Sequence, residues 1–396
     1  MEHLIEKSES LTRRVKTTFR RFLLETINWD NRLVAIKGPR GTGKTTMLLQ
    51  RLNDMGKTAS EAVYFSLDDL YFSGHTLVET AEAFHKKGGT CLFLDEVHKY
   101  RGWAREIKNM YDFYPDLRIV FTGSSIIDIS KEEGDLSRRV RMYELPGLSF
   151  REYLEYTGAH SQPPLALEDI IDGKALWKKK FPADFKPFKY FSEYLSHGYY
   201  PFFTEDPEGF RDRLNQLIRT VVEYDMAELK GFDIRNAKKL MQLLYILAAN
   251  VPFKPNISKL AAKSLIHRNS VIAYLHFLEQ ARLIRLLYSS GISIAQLQKP
   301  EKIYLDNPNL SFALGINAPD QGNLRETFFL NQLSVKHTVR YPSKGDFIVD
   351  ERFTFEVGGR GKKREQISSV PDSFIVLDDT VFPVGSLPLW VFGFLY

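Results

Sequence analysis

The sequence predicts an α/β protein: a parallel sheet with helices on both faces, followed by a helical region and then a second α/β domain. Residues 31–37 (NRLVAIK) form a short β-branched run that stops at Gly38, and the loop GPRGTGKTT leads into the helix-like MLLQRLNDM. This reads as strand, glycine loop, helix. Three further apolar runs, residues 62–67 (AVYFSL), 90–94 (TCLFL) and 117–121 (LRIVF), are separated by helix-compatible segments. Parallel strands need crossover connections, so the alternation predicts a sheet covered by helices. The chain of 396 residues has room for two to three domains at roughly 150 residues each.

In chain order, residues 1–27 read as an N-terminal helical segment and 28–150 as the sheet domain. Beyond Phe150 the pattern changes to SFREYLEYTG and then to the Pro- and Lys-rich SQPPLAL and WKKKFPADFKPF, which makes 151–235 a helical lid or connector. Residues 190–224 and 238–251 are largely helical in pattern, with apolar residues at three-to-four spacing in KKLMQLLYILAANV. Two compact helical patterns, ISKLAAKSL and HRNSVIAYLHFLEQARL, then precede the extended IRLLYSS. Short helices followed by a strand outline a winged helix at 236–300. From Lys302 the chain is strand-rich: KIYLDN, TVRYP, DFIVD, FTFEVGG, SFIVLDD and LWVFGFLY surround one helix at NLRETFFLNQLSV. A mixed domain is expected at 301–396.

A composition of 43% hydrophobic and 26% charged residues excludes a disordered or fibrous chain. The formal charge of +5 and pI of about 8.9 admit a polyanionic partner without requiring one. Cys91 is the only cysteine, which rules out a disulfide framework or a multi-thiolate metal site and suits a reducing compartment, so a cytoplasmic location is expected. The first residues mix Glu, Lys and Arg and lack the apolar core of a signal peptide. No apolar run approaches the roughly 18 residues of a membrane span, so no membrane partner is expected.

Gly38, Pro39, Arg40, Gly41, Thr42, Gly43, Lys44 and Thr45, with Thr46 behind them, fit the Walker A pattern G-x-x-x-x-G-K-[ST]. Glycines let backbone N–H groups wrap a phosphate, and the helix N-terminus adds the positive end of its dipole. Lys44 is expected on the β- and γ-phosphates and the Thr45 hydroxyl on Mg²⁺, with ATP and ADP as ligands. GTP is disfavoured, because no guanine-reading N-K-x-D motif occurs. In CLFLDEVH an apolar strand ends in two acids: Asp95 to support the metal and Glu96 to polarise water. The fourth strand ends FTGSS, and its hydroxyls, Ser124 foremost, are candidates to orient the attacking water or sense the γ-phosphate. Thr-Gly-Ser-Ser is also ordinary turn chemistry. His98 lacks the companions of a metal ligand, and reads as a support for the site or a solvated side chain. Nothing in the sequence suggests haem, flavin or zinc.

With GPRGTGKTT, CLFLDEVH and FTGSS in this order, the chain resembles the AAA+ ATPases. It is most similar to bacterial and archaeal ATP-binding proteins of that class that carry a winged helix and a C-terminal nuclease-like domain of the PD-(D/E)XK type. LSRRVRMYELPGLSFREYLEY, YLSHGYYPFF and LPLWVFGFLY extend the resemblance over nearly the whole chain. The first of these has Arg138-Arg139 where the family pattern has Gly-Arg. The resemblance makes Arg139 a candidate arginine finger, in cis or, in an oligomer, in trans, while a solvated basic cluster is the alternative.

In the winged-helix reading His267-Arg268-Asn269-Ser270 opens the recognition helix, with Lys259, Lys263 and Arg268 available for DNA phosphates. The same fold also serves as an internal packing module. In the last domain the resemblance implies a Mg²⁺ site from Glu326 on a helix, Asp346 in GDFIVD and Glu356 in FTFEVGG. The E-x-K lysine is missing, since position 358 is Gly; Lys362 or Lys363 from the loop GGRGKK is the candidate replacement, and Gln366 the candidate polar helix residue. A divergent nuclease and a degenerate core that binds DNA or a partner are the two readings. Loss of the charge-stabilising lysine argues for the degenerate one, because such losses cost orders of magnitude in rate. The expected function is ATP hydrolysis that drives or switches a DNA- or partner-binding C-terminal region. The alternatives are a nucleic-acid module regulated by ATP and a nucleotide switch acting on a protein.

Overall fold

The computed structural model describes residues 1–126, 134–172, 176–228, 232–250, 255–290, 299–315, 318–362, 364–380, 383 and 385–396, and divides into two compact units, Met1–Pro146 and Gly147–Tyr396. Lys363 lies outside the described residues.

The first unit runs α1 (Glu2–Arg14), α2 (Phe22–Thr26), β1 (Leu33–Gly38), α3 (Lys44–Asp54), β2 (Ala62–Ser66), α4 (Leu77–Lys86), β3 (Cys91–Asp95), α5 (Trp103–Phe113), β4 (Arg118–Ser124), α6 (Gly134–Ser137) and β5 (Arg141–Glu144). Its strands form one sheet in the order β2-β3-β4-β1-β5, all pairs parallel. This is the expected P-loop architecture, with a fifth strand added. The sequence hides β5 because its four residues, Arg-Met-Tyr-Glu, lie on an exposed edge and carry no apolar run.

Side chains alternate across a strand, and the two cores follow that alternation. Leu33, Ala35, Val63, Phe65, Leu92, Leu94, Ile119 and Phe121 pack with α4 and α5 on one face. Val34, Ile36, Tyr64, Cys91, Phe93 and Val120 pack with α2 and α3 on the other. The four inner-core strands β1 to β4 therefore carry continuous apolar runs, as strands buried on both faces do. Residues 1–27 belong to this unit: Leu4 is buried in the first core, and the Ser8 hydroxyl accepts the Tyr64 N–H at 3.0 Å.

The second unit runs α7 (Phe150–Tyr156), α8 (Leu167–Ile171), α9 (Phe188–Glu193), α10 (Phe210–Glu223), α11 (Ala237–Ala248), α12 (Ile257–Ser264), α13 (Arg268–Gln280), β6 (Ile284–Leu287), β7 (Lys302–Leu305), α14 (Pro308–Leu314), α15 (Gln321–Leu333), β8 (Val339–Arg340), β9 (Phe347–Val349), β10 (Phe353–Gly358), β11 (Ser373–Leu377) and β12 (Ser386–Pro388). β6 and β7 form an antiparallel ribbon behind α11, α12 and α13. The last five strands make a mixed sheet, β12-β11-β10-β9-β8, parallel from β10 to β12 and antiparallel from β10 to β8.

The two ends of this unit are joined. Ser149 Oγ and Arg151 Nε both donate to the Tyr396 carbonyl at 2.8 Å, and Phe150 packs against Phe394. The segment LWVFGFLY, expected as a strand, is instead a 3₁₀ turn over Leu389–Phe394. Its residues are buried throughout, and without alternating exposure the residue pattern cannot distinguish strand from helix. Among the described residues no helix is long and apolar enough to cross a membrane.

Candidate functional site

In the first unit β1, β3 and β4 end along one edge of the sheet, where Gly38, Asp95 and Ser124 stand, with Gly38 paired to Ser124. A crevice at the carboxyl ends of parallel strands is where open α/β sheets bind ligands. The Walker A loop fills it. Gly41 and Gly43 take φ values of +77° and +91°, a region costly for residues with a Cβ. Gly38 answers a different constraint: a Cβ there would lie 2.2 Å from the Leu145 carbonyl oxygen, where the chain leaves β5. The Thr42 hydroxyl turns inward onto the Pro39 carbonyl at 2.9 Å. Arg21, 4% exposed, donates to the Thr42 and Pro146 carbonyls at 2.5 and 2.8 Å, tying the loop to the exit of β5.

Lys44 is buried, and its ammonium donates to the Gly38 and Pro39 carbonyls at 2.9 and 3.0 Å. Thr45 Oγ1 donates to Asp95 Oδ2 at 2.6 Å, and Tyr64 OH donates to the same oxygen at 2.9 Å. The Thr122 hydroxyl donates to Asp95 Oδ1 and accepts the Glu96 N–H at 3.2 Å. Asp95 thus holds hydroxyls from three elements. Burial, with Asp95 beside it, pushes the Tyr64 phenol well above its ordinary value, which keeps it a donor.

Glu96 stands at φ +54°, ψ +43°, a left-handed conformation uncommon for a residue with a side chain. Its Oε2 lies 3.3 Å from His98 Nε2 and 3.8 Å from Arg40 Nη2. His98 is buried, and its Nδ1 accepts the Ser124 N–H at 3.4 Å, which puts its one proton on Nε2, toward Glu96. Burial, helped by Lys99, Lys44 and Arg40, lowers the His98 pKa to about 3, so the ring is neutral at physiological pH. The His98 side chain is buried beside Glu96, not solvated, and its Nε2 makes no hydrogen bond among the described residues.

Arg139 is elsewhere. Its guanidinium pairs with Asp112 at 3.0 Å near the end of α5, just before β5, whose Arg141 pairs with Val34 at the start of β1. Four residue steps along β1 separate Val34 from Gly38, on the order of 13 Å. Arg139 thus stands toward the opposite end of the sheet from Gly38. Arg138 is exposed.

The second unit brings the other predicted residues together. Glu326 comes from α15, Asp346 from just before β9, Glu356 from β10 and Lys362 from the turn after it. Lys362 Nζ lies 2.6 Å from Glu356 Oε1 and 3.6 Å from Asp346 Oδ2, which also accepts the Val357 N–H at 3.0 Å. The missing lysine explains itself here: a Cβ at Gly358 would lie 2.8 Å from Lys362 Cβ, Cγ and Cδ, so the glycine clears the space that the Lys362 stem occupies. Burial foremost, then Asp346, raises the Glu326 carboxyl above its ordinary range, and burial raises that of Glu356. Burial alone would lower both lysines, but the carboxylates raise them overall.

Two members were not foreseen. Lys302 Nζ on β7 lies 3.1 Å from Glu326 and 3.3 Å from Asp346, and Tyr304 OH donates to Glu326 at 2.7 Å. Their only sequence signal is polar tips at alternate positions of KIYLDN. Gln366 is exposed on a 3₁₀ turn, Arg364–Ile367, not on a longer helix. Lys259, Lys263, His267 and Arg268 are exposed on α12 and at the start of α13. Among the described residues no three Asp, Glu, His or Cys side chains are arranged to hold one ion.

Residues 30–154 match the family model described as an AAA domain, and residues 188–320 match a domain of unknown function. The chain is 28% identical over 372 residues to the uncharacterized protein MJ1637 of Methanocaldococcus jannaschii, covering 86% of this chain and 78% of that one. Among solved structures it is similar to a RuvB variant of Thermotoga maritima (17% identity, 71% of this chain, 89% of that chain, TM-score 0.30). It is also similar to AMPPCP-bound DnaA from Aquifex aeolicus (18% identity, 65% and 85%, TM-score 0.27).

Proposed function

We propose that the chain is a Mg²⁺-dependent ATPase whose nucleotide state switches a DNA- or partner-binding second unit. The observation that carries this is the meeting of Thr45 with Asp95 at 2.6 Å, beside the buried Lys44, within a unit that matches an AAA domain. The donor set fits a triphosphate and its metal: backbone N–H groups and an ammonium for phosphate, a hydroxyl and a carboxylate for Mg²⁺. Mg²⁺ in such sites neutralises charge on the phosphoryl oxygens. Lys44 would hold the β- and γ-phosphates, Thr45 and Asp95 the ion, and Glu96 would take a proton from the attacking water.

The test is steady-state hydrolysis with Mg²⁺, with and without single- and double-stranded DNA. Lys44→Ala should lose ATP binding, and Glu96→Gln should bind ATP without turning it over. Undiminished hydrolysis by either variant would overturn the assignment. Stimulation by DNA would favour a nucleic-acid partner, for which the exposed Lys259, Lys263 and Arg268 on a winged-helix-like arrangement are the candidate phosphate contacts. Indifference to DNA would favour a protein partner. If Arg139 acts as a finger, it does so in trans, and hydrolysis per chain should rise with protein concentration.

A second reading is a metal-dependent nuclease in the second unit. The convergence of Glu326, Asp346 and Glu356 with a lysine at 2.6 Å supports it over a degenerate core. Asp346→Ala and Glu356→Ala should each abolish Mg²⁺-dependent cleavage. A wild-type chain that cleaves neither DNA nor RNA with Mg²⁺ or Mn²⁺ would end this reading.

A further inference from the structure

Thr122 stands on β4 between the acid assigned to the metal and the acid assigned to water. It is fully buried, and its hydroxyl is engaged on both sides: it donates to Asp95 Oδ1 and accepts the Glu96 N–H at 3.2 Å. A hydroxyl has one proton, and here that proton goes to a carboxylate, so it is not offered to a phosphate or a water. The β3–β4 ladder ends at Leu94 and Phe121, and the Glu96 N–H beyond it is received by this side chain in place of a backbone carbonyl.

Glu96 is the residue that needs such an anchor. Its left-handed backbone, φ +54° and ψ +43°, persists in a residue with a Cβ only where the surroundings over-determine it. Its carbonyl accepts the Lys99 N–H at 2.9 Å, and its N–H has the Thr122 hydroxyl. The same turn carries its carboxylate to 3.8 Å from Arg40 of the Walker A loop. Threonine is β-branched and stiff at χ1, so a hydroxyl on this side chain keeps one direction. Tyr64 supplies the contrast: its phenol donates to Asp95 Oδ2 at 2.9 Å, so it shares the carboxylate with Thr122 but not the Glu96 N–H.

We infer that Thr122 is a positioning residue for Glu96, whose hydroxyl holds the base in its left-handed turn and ties it to the carboxylate that supports the metal. This rests on the ATPase reading of the first unit. Loss of the hydroxyl leaves the Glu96 N–H without its acceptor and the backbone free to relax toward an ordinary conformation, which swings the carboxylate away from the nucleotide. Nucleotide binding does not depend on that swing, since the Walker A loop and the Lys44 ammonium are untouched by it.

The experiment compares wild type with Thr122→Val, Thr122→Ser and Tyr64→Phe in the full chain, each checked for folding by circular dichroism. Hydrogen exchange of the nucleotide-free chain, read by mass spectrometry, should be faster at the Glu96 amide in Thr122→Val and unchanged there in Thr122→Ser and Tyr64→Phe. With ATP and Mg²⁺, Thr122→Val should lower kcat by about a hundredfold, the scale on which a reacting group misplaced by about 1 Å costs rate. Its affinity for a fluorescent ATP analogue in EDTA should match that of wild type. Thr122→Ser should restore kcat, and Tyr64→Phe should lose less than Thr122→Val. Wild-type turnover or wild-type exchange in Thr122→Val would overturn the inference and leave the ATPase reading standing. Equal losses in Thr122→Val and Tyr64→Phe would also overturn it, because the hydroxyl would then act through Asp95 alone. Absence of hydrolysis by wild type, or full hydrolysis by Glu96→Gln, would overturn the ATPase reading and this inference together. If Thr122→Val does not fold, Thr122→Ala carries the same comparison.

Discussion

Thr45 Oγ1 and Asp95 Oδ2 lie 2.6 Å apart, so the first turn of α3 and the tip of β3 meet through a single hydrogen bond. Tyr64 and Thr122 fix the same carboxylate from β2 and β4. An acid held by three hydroxyls is oriented in advance, and the Thr45 oxygen is one of the two groups assigned to the metal. Thr45→Ala should therefore reduce ATP affinity measured in Mg²⁺ by about tenfold or more, the usual cost of disturbing a metal site. Affinity in EDTA should be unchanged. Equal loss under both conditions, read with a fluorescent ATP analogue, would assign Thr45 to phosphate instead of metal.

His98 makes the first unit sensitive to acid. Its folded pKa of about 3 lies below the 6.5 of a free imidazole, so between these values the unfolded chain binds a proton that the folded chain refuses. The stability tied to a neutral His98 is complete above pH 6.5 and is lost progressively as pH falls toward 3. At one pKa unit per roughly 1.4 kcal/mol, the total is on the order of several kcal/mol. His98→Asn should remove that part of the slope. Melting temperatures of both proteins between pH 7 and 4.5 should converge as pH falls, and parallel curves would contradict the burial of a neutral ring.

Gly38 separates a structural role from a chemical one. A methyl group at this position meets the Leu145 carbonyl oxygen at 2.2 Å, and the backbone there is fixed by the Leu145 N–H on the Lys37 carbonyl at 2.8 Å. Overpacking of this kind costs about 1–3 kcal/mol. Gly38→Ala should lower the melting temperature of the protein without nucleotide, whereas Lys44→Ala, which removes an ammonium from the loop, should not match it by the same route. A Gly38→Ala protein that melts with wild type but fails to bind ATP would show that the glycine serves the ligand alone.

The first sheet was legible because its strands are buried on both faces and end at motifs whose spacing is set by phosphate chemistry. Leu92, Phe93 and Leu94 run into Asp95 with no ambiguity of period, and the Walker A glycines mark the loop that follows β1. Arg21 and Tyr64 escaped for a common reason: each acts through a contact across the chain, to the Thr42 carbonyl and to Asp95, that no local pattern encodes. Arg139 is the reverse case. A motif position suggested a phosphate contact, but the pairing of Arg141 with Val34 places it at the far end of the sheet. In the second unit the acids were visible as residues on successive elements, while Lys302 was not, because a lysine opening a strand ordinarily faces solvent.

The vacancy at position 358 and the lysine at 362 are one feature. The E-x-K pattern fails at Gly358, yet an ammonium stands 2.6 Å from Glu356, delivered by a side chain whose Cβ, Cγ and Cδ lie where a residue-358 side chain would begin. The turn is held by the Lys362 N–H on the Gly359 carbonyl and by the Asp378 N–H on the Gly358 carbonyl, both at 3.0 Å. Gly358→Ala should push the Lys362 stem off the strand and expose its ammonium, with the sheet intact because Gly358 already has an extended partner in Leu377. Acylation by a lysine-directed reagent, read by mass spectrometry, should rise at Lys362 and stay constant at Lys344, which pairs with Ser369 on the exposed surface. If Lys362 reactivity does not change, the glycine is not what seats the lysine, and the ammonium at Glu356 is held by the turn alone.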